Sequence, residues 1–271
     1  PSAIPIQSGK TGYMIHLKSD KEIDKIRASC RIAAETMACV MEEISPGVTT
    51  LELDQVAEKF IRKQGAVASA KGYEVPGRPP YPGSICISVN DEVVHGIPGQ
   101  RVLREGDILA VDIAVKKAGY HGDMNVTMIA GQTDDEAMRL LSSTRQAMEI
   151  GLQAAVPGNR LGDLGHSIQS YVEEQGYSVV REYCGHGIGR AFHEDPQILH
   201  FGSPGTGRRL QSGMVFTIEP MVNQGTPDVR DLEDGWTSVT VDGLLSAQFE
   251  HTVVVTRDGP DILSRFDDLP F

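Results

Sequence analysis

One pattern is written twice in this chain, and it constrains the fold more than any other feature. Ser19-Asp20-Lys21-Glu22 has the Ser-x-x-Glu form that opens helices, each residue capping the other's backbone N–H. Ile23, Ile26, Cys30 and Ala33/Ala34 then recur at helical spacing, which predicts a helix to about Ile44. Pro46-Gly47 ends it. Leu51, Leu53, Val56, Phe60 and Ile61 predict a second helix that stops at Gly65. The order restarts at Thr133-Asp134-Asp135-Glu136, read as another capping box. A helix through Leu140, Leu141, Met148 and Leu152 is stopped by Pro157-Gly158, and a second helix runs to Gln175-Gly176. Pro46 to Gln64 spans 18 residues, as does Pro157 to Gln175, and Leu53 falls in register with Leu164. This predicts a duplicated unit of helix, helix and strands, with halves at about 19–130 and 133–257.

The strands carry the unusual residues. Leu109-Ala110-Val111-Asp112-Ile113-Ala114-Val115 reads as a buried strand interrupted by one carboxylate. Asp123 follows eleven residues later, after the turn-like Lys116-Lys117-Ala118-Gly119, so the spacing predicts a hairpin with one Asp on each strand. Ile85 to Val89 is a further strand. Gly72 to Pro82, with four prolines and two tyrosines, is a loop, and so is Asn90 to Gly99, which carries His95. In the second half, Val179 to Tyr183, Gly213 to Val222 with Glu219 inside it, and Phe249 to Thr256 with Glu250 near its start all read as strands.

Composition excludes several roles. With 271 residues, 40% of them hydrophobic, the chain can bury a sizeable core. A net charge of −12 without a basic run disfavours nucleic acid as a partner, DNA included. No apolar stretch is long enough for a bilayer span, and no signal-peptide core stands near the N-terminus. Cys30, Cys39, Cys86 and Cys184 are scattered without a CxxC pair, as expected of reduced thiols in a cytoplasmic protein. Residues 1–18 read as an extension ahead of one catalytic domain over 19–271.

A buried carboxylate is costly to ionise unless a cation or hydrogen bonds compensate it. Two side by side repel, and a bound metal resolves the repulsion. Glu219 or Glu250 alone could be the exposed position of an alternating strand. Together with Asp112 and Asp123 they are harder to dismiss. Their company is Tyr183-Cys184-Gly185-His186-Gly187-Ile188-Gly189-Arg190, with His193 close behind and glycines that allow a tight loop. A dinucleotide fingerprint fails because Arg190 stands where Gly or Ala is needed. A HExxH zinc site fails for want of a second His at 197, and no G-x-S-x-G is present. Four carboxylates and a histidine suffice for two hard or borderline divalent ions. Such a pair suits hydrolysis of an amide or ester.

Four segments carry a resemblance. Cys86-Ile87-Ser88-Val89-Asn90 with His95-Gly96-Ile97-Pro98, Tyr183 to Gly189, Thr217-Ile218-Glu219-Pro220 and Ser246-Ala247-Gln248-Phe249-Glu250-His251-Thr252 resemble type I methionine aminopeptidases, over about residues 19–257. The resemblance implies an α+β pita-bread fold, two pseudo-symmetric helix-helix-strand halves around a central antiparallel sheet. It implies removal of the initiator methionine from nascent chains with a small second residue, in the cytoplasm, by a monomer. It leaves room for transient ribosome contact. Asp112 and Asp123 look like ligands of one metal, with Asp123 and Glu250 bridging and His186 and Glu219 completing the other. The ions would be Co, Mn or Fe. Glu219 looks like the general base, His193 like the hydrogen-bond donor to the substrate carbonyl, and His95 like the contact to the scissile amide. Tyr81, Cys86, Phe192 and Trp236 resemble the methionine side-chain pocket, where sulfur-tolerant apolar walls suit a thioether.

Related chemistries fit less well. Proline-directed peptidases of the same fold carry an extra N-terminal domain, for which this sequence leaves no room. Type II methionine enzymes carry a helical insert, and the 33 residues from His186 to Glu219 leave no space for it. A binding protein that had lost its chemistry should have lost ligands, and all five are present.

Overall fold

Local capping sets where the helices begin. The structure, a computed structural model, describes residues 4–5 and 15–266. Most of the extension expected over residues 1–18 therefore lies outside the described residues. Helix α1 (Asp20–Glu43) starts at Ser19, whose N–H and Oγ donate to Glu22 Oε2 at 3.0 and 2.8 Å. Helix α2 (Thr50–Lys63) repeats the device with Thr49 and Glu52. Helix α3 (Asp135–Ala154) begins one residue later than the expected capping box. Its N-cap is Asp134, which accepts from the Ala137 N–H at 2.8 Å. Thr133 is not the cap because its hydroxyl donates to the Gly106 carbonyl, 3.1 Å away. Helix α4 (Leu161–Glu174) completes the second pair.

The two Pro-Gly stops adopt the same conformation. Gly47 and Gly158 have φ of +99° and +97°, in the left-handed region open to glycine. Their N–H groups donate to Leu103 O and Leu210 O at 2.8 and 3.3 Å. Leu103 and Leu210 in turn donate to Val48 O and Asn159 O at 2.8 and 2.7 Å. At the two stops the duplication is repeated in these same two backbone hydrogen bonds.

Strand β1 (Ile4–Pro5) precedes the halves; those of the first half are β2 (Val67–Ala68), β3 (Cys86–Val89), β4 (Glu92–Val94), β5 (Ile108–Lys117) and β6 (Tyr120–Ile129). Those of the second are β7 (Ser178–Val179), β8 (Tyr183–Gly187), β9 (Glu194–Ile198), β10 (Val215–Ile218) and β11 (Met221–Asn223). It continues with β12 (Val229–Asp231), β13 (Ser238–Thr240), β14 (Ser246–Thr256) and β15 (Gly259–Ile262). Among the described residues, twelve strands form one sheet with the main order β1-β8-β10-β14-β6-β5-β2. A smaller sheet runs β12-β13-β4, so short strands of both halves meet there too. The β5–β6 turn is Ala118-Gly119, both at positive φ, the two-residue turn that suits the twist of a hairpin.

Two expected strands and one expected loop come out differently. Val179 to Tyr183 is broken after Val179, and the chain resumes as β8. The glycine segment around His186 is strand β8 rather than a loop. Its glycines serve close packing: a Cβ on Gly185 or Gly187 would lie 2.6 Å from Thr217 O or 2.2 Å from Asp195 O. Gly213 to Val222 splits into β10 and β11, with Glu219-Pro220 between them. Pro220 has no N–H for a ladder, and the Glu219 N–H turns aside to His200 Nε2 at 3.0 Å.

The helices cover one face of the sheet, α1 over β5 and β6 and α3 over β14. Met37, Leu53, Val111, Ile113, Leu140, Leu164, Phe216 and Phe249 share the resulting core. Contact is closest at Gly122 in β6, where an added Cβ would stand 2.4 Å from Cys30 N and 2.9 Å from its Cα. Helix backbone cannot yield cheaply, so Gly122→Ala should cost about 1–3 kcal/mol by overpacking. Urea unfolding should show a lower midpoint at unchanged slope. An unchanged midpoint would mean that α1 slides on the sheet.

Candidate metal centre

Strand register gathers the acidic residues. Residues opposite each other on paired strands share a face, as do residues two apart on one strand. Asp112 lies opposite Asn125, and Asp123 opposite Ala114, so both carboxylates point from the same side of the β5–β6 hairpin. Strand β14 adds Glu250, opposite Asn125 from the other flank. Thr217 of β10 faces Thr252 of β14, and Glu219 follows two residues on. Strand β8 places Gly187 opposite Phe216, which sets His186 beside Thr217, its N–H 3.0 Å from Thr217 Oγ1. Asp123, His186, Glu219 and Glu250 have no solvent exposure, and Asp112 only 6%.

Asp123, His186 and Glu250 each offer one ligand atom, all within 4.8 Å of one another. His186 Nε2 is 3.7 Å from Asp123 Oδ2 and 3.8 Å from Glu219 Oε1. Its Nδ1 lies 2.9 Å from Gly187 O, which orients the ring and turns the Nε2 lone pair toward the carboxylates. Among the described residues, neither oxygen of Asp123 or of Glu250 has a hydrogen-bond partner. Burial raises the Asp123 and Glu250 carboxyls well above their ordinary range. Asp112 adds repulsion at Asp123, and Asp123 and Glu219 add it at Glu250. Glu219 is raised by burial and by Asp123, against the opposing pull of the Thr217 hydroxyl at 2.5 Å. Partnerless buried carboxylate oxygens beside an imidazole nitrogen fit a divalent cation, hard or borderline in character.

His193 adjoins the cluster through His186, and His95 meets the Tyr183 and Trp236 rings at 5.3 and 6.2 Å. His95 sits at φ +62°, a left-handed conformation uncommon outside glycine and tolerated where the surroundings enforce it. The residue after it, Gly96, is pinned against β3: its N–H donates to Ser88 Oγ at 3.1 Å, its O accepts from the Ile87 N–H at 3.0 Å, and an added Cβ would stand 2.2 Å from Ile87 O. The His193 ring stacks on Phe192 at 4.3 Å between centroids and meets His186 edge-on at 4.4 Å. Tyr81, Cys86 and Trp236 pack together with Ala70. Phe192 belongs to a separate cluster with Ile26 and Ile188. Tyr73 packs against both clusters and joins them, meeting Phe192 edge-on at 5.5 Å.

The match to the metallopeptidase family M24 covers residues 24–257. Methionine aminopeptidase 1 of Bacillus subtilis is 52% identical over 252 residues, 93% of this chain and 100% of its own. The chain belongs to metallopeptidase family M24, in its methionine aminopeptidase branch. The crystal structure of methionine aminopeptidase from Rickettsia prowazekii superposes with a TM-score of 0.90 at 43% identity, over 93% of this chain and 100% of that one. The prolidase from Pyrococcus furiosus, 22% identical with a TM-score of 0.73 over 93% of this chain and 66% of its own, shares the pita-bread fold. No helix among the described residues is long and apolar enough to cross a membrane.

In this M24 chain the motifs leave several supporting roles unassigned, although Thr217 and Gln248 lie within the quoted segments. Gln248 Nε2 donates to Glu219 Oε2 at 3.2 Å, and its Oε1 accepts from Asn125 Nδ2 at 3.0 Å. Thr217 and Gln248 each stand two residues before a key carboxylate, so a period-2 reading of the strands exposes them. Tyr73 Oη lies 2.5 Å from His193 Nδ1, and His200 holds the Glu219 N–H, across distances in sequence that leave no local signal.

Acids with raised folded-state pKa values make a pH prediction for chelator-treated protein. The folded state holds protons that the unfolded state releases from about pH 4 upward. Metal-free stability should therefore fall as pH rises above that point, until the raised folded values are passed. Glu250→Gln should flatten that fall and leave the metal-free chain more stable at pH 8 than the unaltered chain. Urea midpoints at pH 5 and pH 8 with chelator present are the check. Equal slopes for both chains would sink the repulsion account.

Proposed function

We propose that this chain removes the N-terminal methionine from nascent polypeptides with a small second residue. It would do so in the cytoplasm, as a monomer, with two divalent ions (Co, Mn or Fe). Asp112, Asp123, His186, Glu219 and Glu250 would hold the ions, with Asp123 and Glu250 shared between them. The observation that supports this most directly is the set of buried, partnerless oxygens of Asp123 and Glu250 beside His186 Nε2. The names of the relatives support the substrate. Divalent ions held there supply Lewis acidity toward a carbonyl and toward water.

The protein's own groups do the rest. Glu219 is positioned at both oxygens, by Thr217 Oγ1 and by Gln248 Nε2. Burial raises its proton affinity above the ordinary carboxylate range, which strengthens it as a base. It takes a proton from the attacking water and delivers it to the departing amine. With Tyr73 O–H donating to His193 Nδ1, the ring proton sits on Nε2, where it can stabilise the charge growing on the carbonyl oxygen. His95 contacts the scissile amide. Tyr81, Cys86 and Trp236 receive the thioether, with Phe192 closing from the other cluster.

Chelation should abolish cleavage of Met-Ala-Ser, and Mn(II), Fe(II) or Co(II) should restore it. Full activity in dialysed, metal-free protein would refute the reading. Met-Ala and Met-Gly peptides should be cut while Met-Lys and Met-Phe are spared, as initial rates will tell.

The histidines should separate. His193→Ala removes one donor to developing charge, which costs about 2.7–4 kcal/mol, or roughly a hundred- to thousand-fold in turnover. Metal content should stay unchanged. His186→Ala should lose metal. Equal metal loss in both variants, measured beside single-turnover rates, would show that the roles are misassigned.

A further inference from the structure

The Gly72–Pro82 loop reaches across to the other half. Its base is closed by backbone hydrogen bonds, Tyr81 N–H to Tyr73 O at 2.9 Å and Gly72 N–H to Tyr81 O at 2.8 Å. Within it Val75-Pro76-Gly77-Arg78 makes a tight turn, with the Arg78 N–H donating to Val75 O at 3.0 Å. Gly77 has φ +84° directly after Pro76, as a type II turn requires. At the end of the turn, Arg78 Nη2 lies 2.7 Å from Asp231 Oδ2, on strand β12 of the second half. Its guanidinium carbon stands 5.6 Å from the Trp236 ring centre. The next residue fastens to the same place: Trp236 Nε1–H donates to Pro79 O at 2.8 Å.

Both ends of this connection lead to the proposed site. Trp236 meets Tyr81 edge-on at 5.3 Å and His95 at 6.2 Å. Asp231 accepts from Tyr183 Oη at 3.2 Å and from Ser238 Oγ, and the Tyr183 ring meets His95 at 5.3 Å. One pocket wall, Tyr81, belongs to the loop of the first half, and the other, Trp236, to the second. The width of the pocket is therefore set by how the loop is fastened to Trp236 and β12.

We infer that Arg78 and Asp231 form a latch between the halves that fixes the width of the side-chain pocket and so sets discrimination among N-terminal residues. The inference rests on the peptidase reading above. Arg78 is a positioning residue that acts through Trp236 and Pro79. The Arg78 and Asp231 side chains are 22% and 45% exposed. A partly exposed ion pair of this kind changes affinity by about two- to five-fold, enough to tune a pocket and too little to hold a fold together.

The chain has a single tryptophan, Trp236, so its fluorescence reports the latch without any substrate. In the metal-loaded protein, Arg78→Ala and Asp231→Asn should each make Trp236 about twofold more open to acrylamide quenching, because the buried ring loses its cover. KM for Met-Ala-Ser should rise about two- to five-fold, with kcat within about twofold and metal content unchanged. The preference for Met-Ala-Ser over Leu-Ala-Ser should fall by a similar factor. Arg78→Lys, which keeps the charge, should recover much of the KM effect.

Unchanged quenching in both variants would overturn the latch. Changed quenching with unchanged KM and unchanged Met-over-Leu preference would overturn its role in selectivity. Wild-type protein that leaves Met-Ala-Ser intact would overturn the peptidase reading and the selectivity role with it, while quenching still decides whether the latch exists.

Discussion

Mutual repulsion among buried carboxylates governs the centre of this molecule. Asp123, Glu219 and Glu250 are fully enclosed; Asp112 raises the proton affinity of all three, Asp123 that of Glu219 and Glu250, and Glu219 that of Glu250. Flexible side chains on a surface would swing apart into water. These cannot, because Asp123 and Glu250 stand on paired strands buried almost throughout, and Glu219, between β10 and β11, is held by its N–H to His200 and by Thr217 and Gln248 at its carboxylate. Thr252 tightens the arrangement from both sides, accepting from the Asp123 N–H at 3.2 Å and donating to Asp123 O at 2.8 Å. The folded chain thus holds a concentrated negative site that a divalent cation relieves. Stability is given up locally where binding needs it, and the large shared core offsets the loss.

The duplication explains why such a site lies at the centre of the sheet. Each half folds its helix pair onto its own strands, and the halves join where β14 pairs with β6. Asp112 and Asp123 come from one half and His186, Glu219 and Glu250 from the other. The complete constellation exists only when the seam is closed. Register at the seam is therefore a functional quantity: a slip of one residue on β14 would turn Glu250 to the helix-covered face.

Much of this was legible because the relevant signals are local. A charged residue inside Leu109 to Val115 stands out whatever surrounds it, and the capping boxes and Pro-Gly stops are written within a few residues. The failures have a different physical origin. Gly185 and Gly187 read as loop formers on conformational grounds, yet glycine also serves where neighbouring backbones come too close for any Cβ. The break at Glu219 depends on a proline and on His200, whose ring burial keeps neutral by lowering its pKa to about 3. Strands β4, β9, β12 and β13 are three to five residues long, and pairing across the chain rather than periodicity defines them. Tyr73 touches His193 across 120 residues of sequence, a proximity that only the closed seam creates.

The molecule divides its labour by rigidity. Of the groups that would bear charge, Asp112, Asp123 and Glu250 stand on the long strands β5, β6 and β14 of the central sheet, His186 on the shorter β8, and Glu219 at the break beside β10. Groups that would read the substrate's side chain stand on connecting segments: Tyr73 and Tyr81 on one loop, Trp236 between β12 and β13. Loops can change shape without disturbing the sheet, so selectivity can vary while the charged centre stays constant. That freedom carries a risk, since a loose wall selects poorly. Here the loop is tied at its base by its own backbone, at one flank by Tyr73 to His193, and at its tip by Arg78 and Pro79 to the opposite half. Two of those ties cross the seam. The same docking of halves that assembles the carboxylates therefore also sets the shape of the pocket beside them.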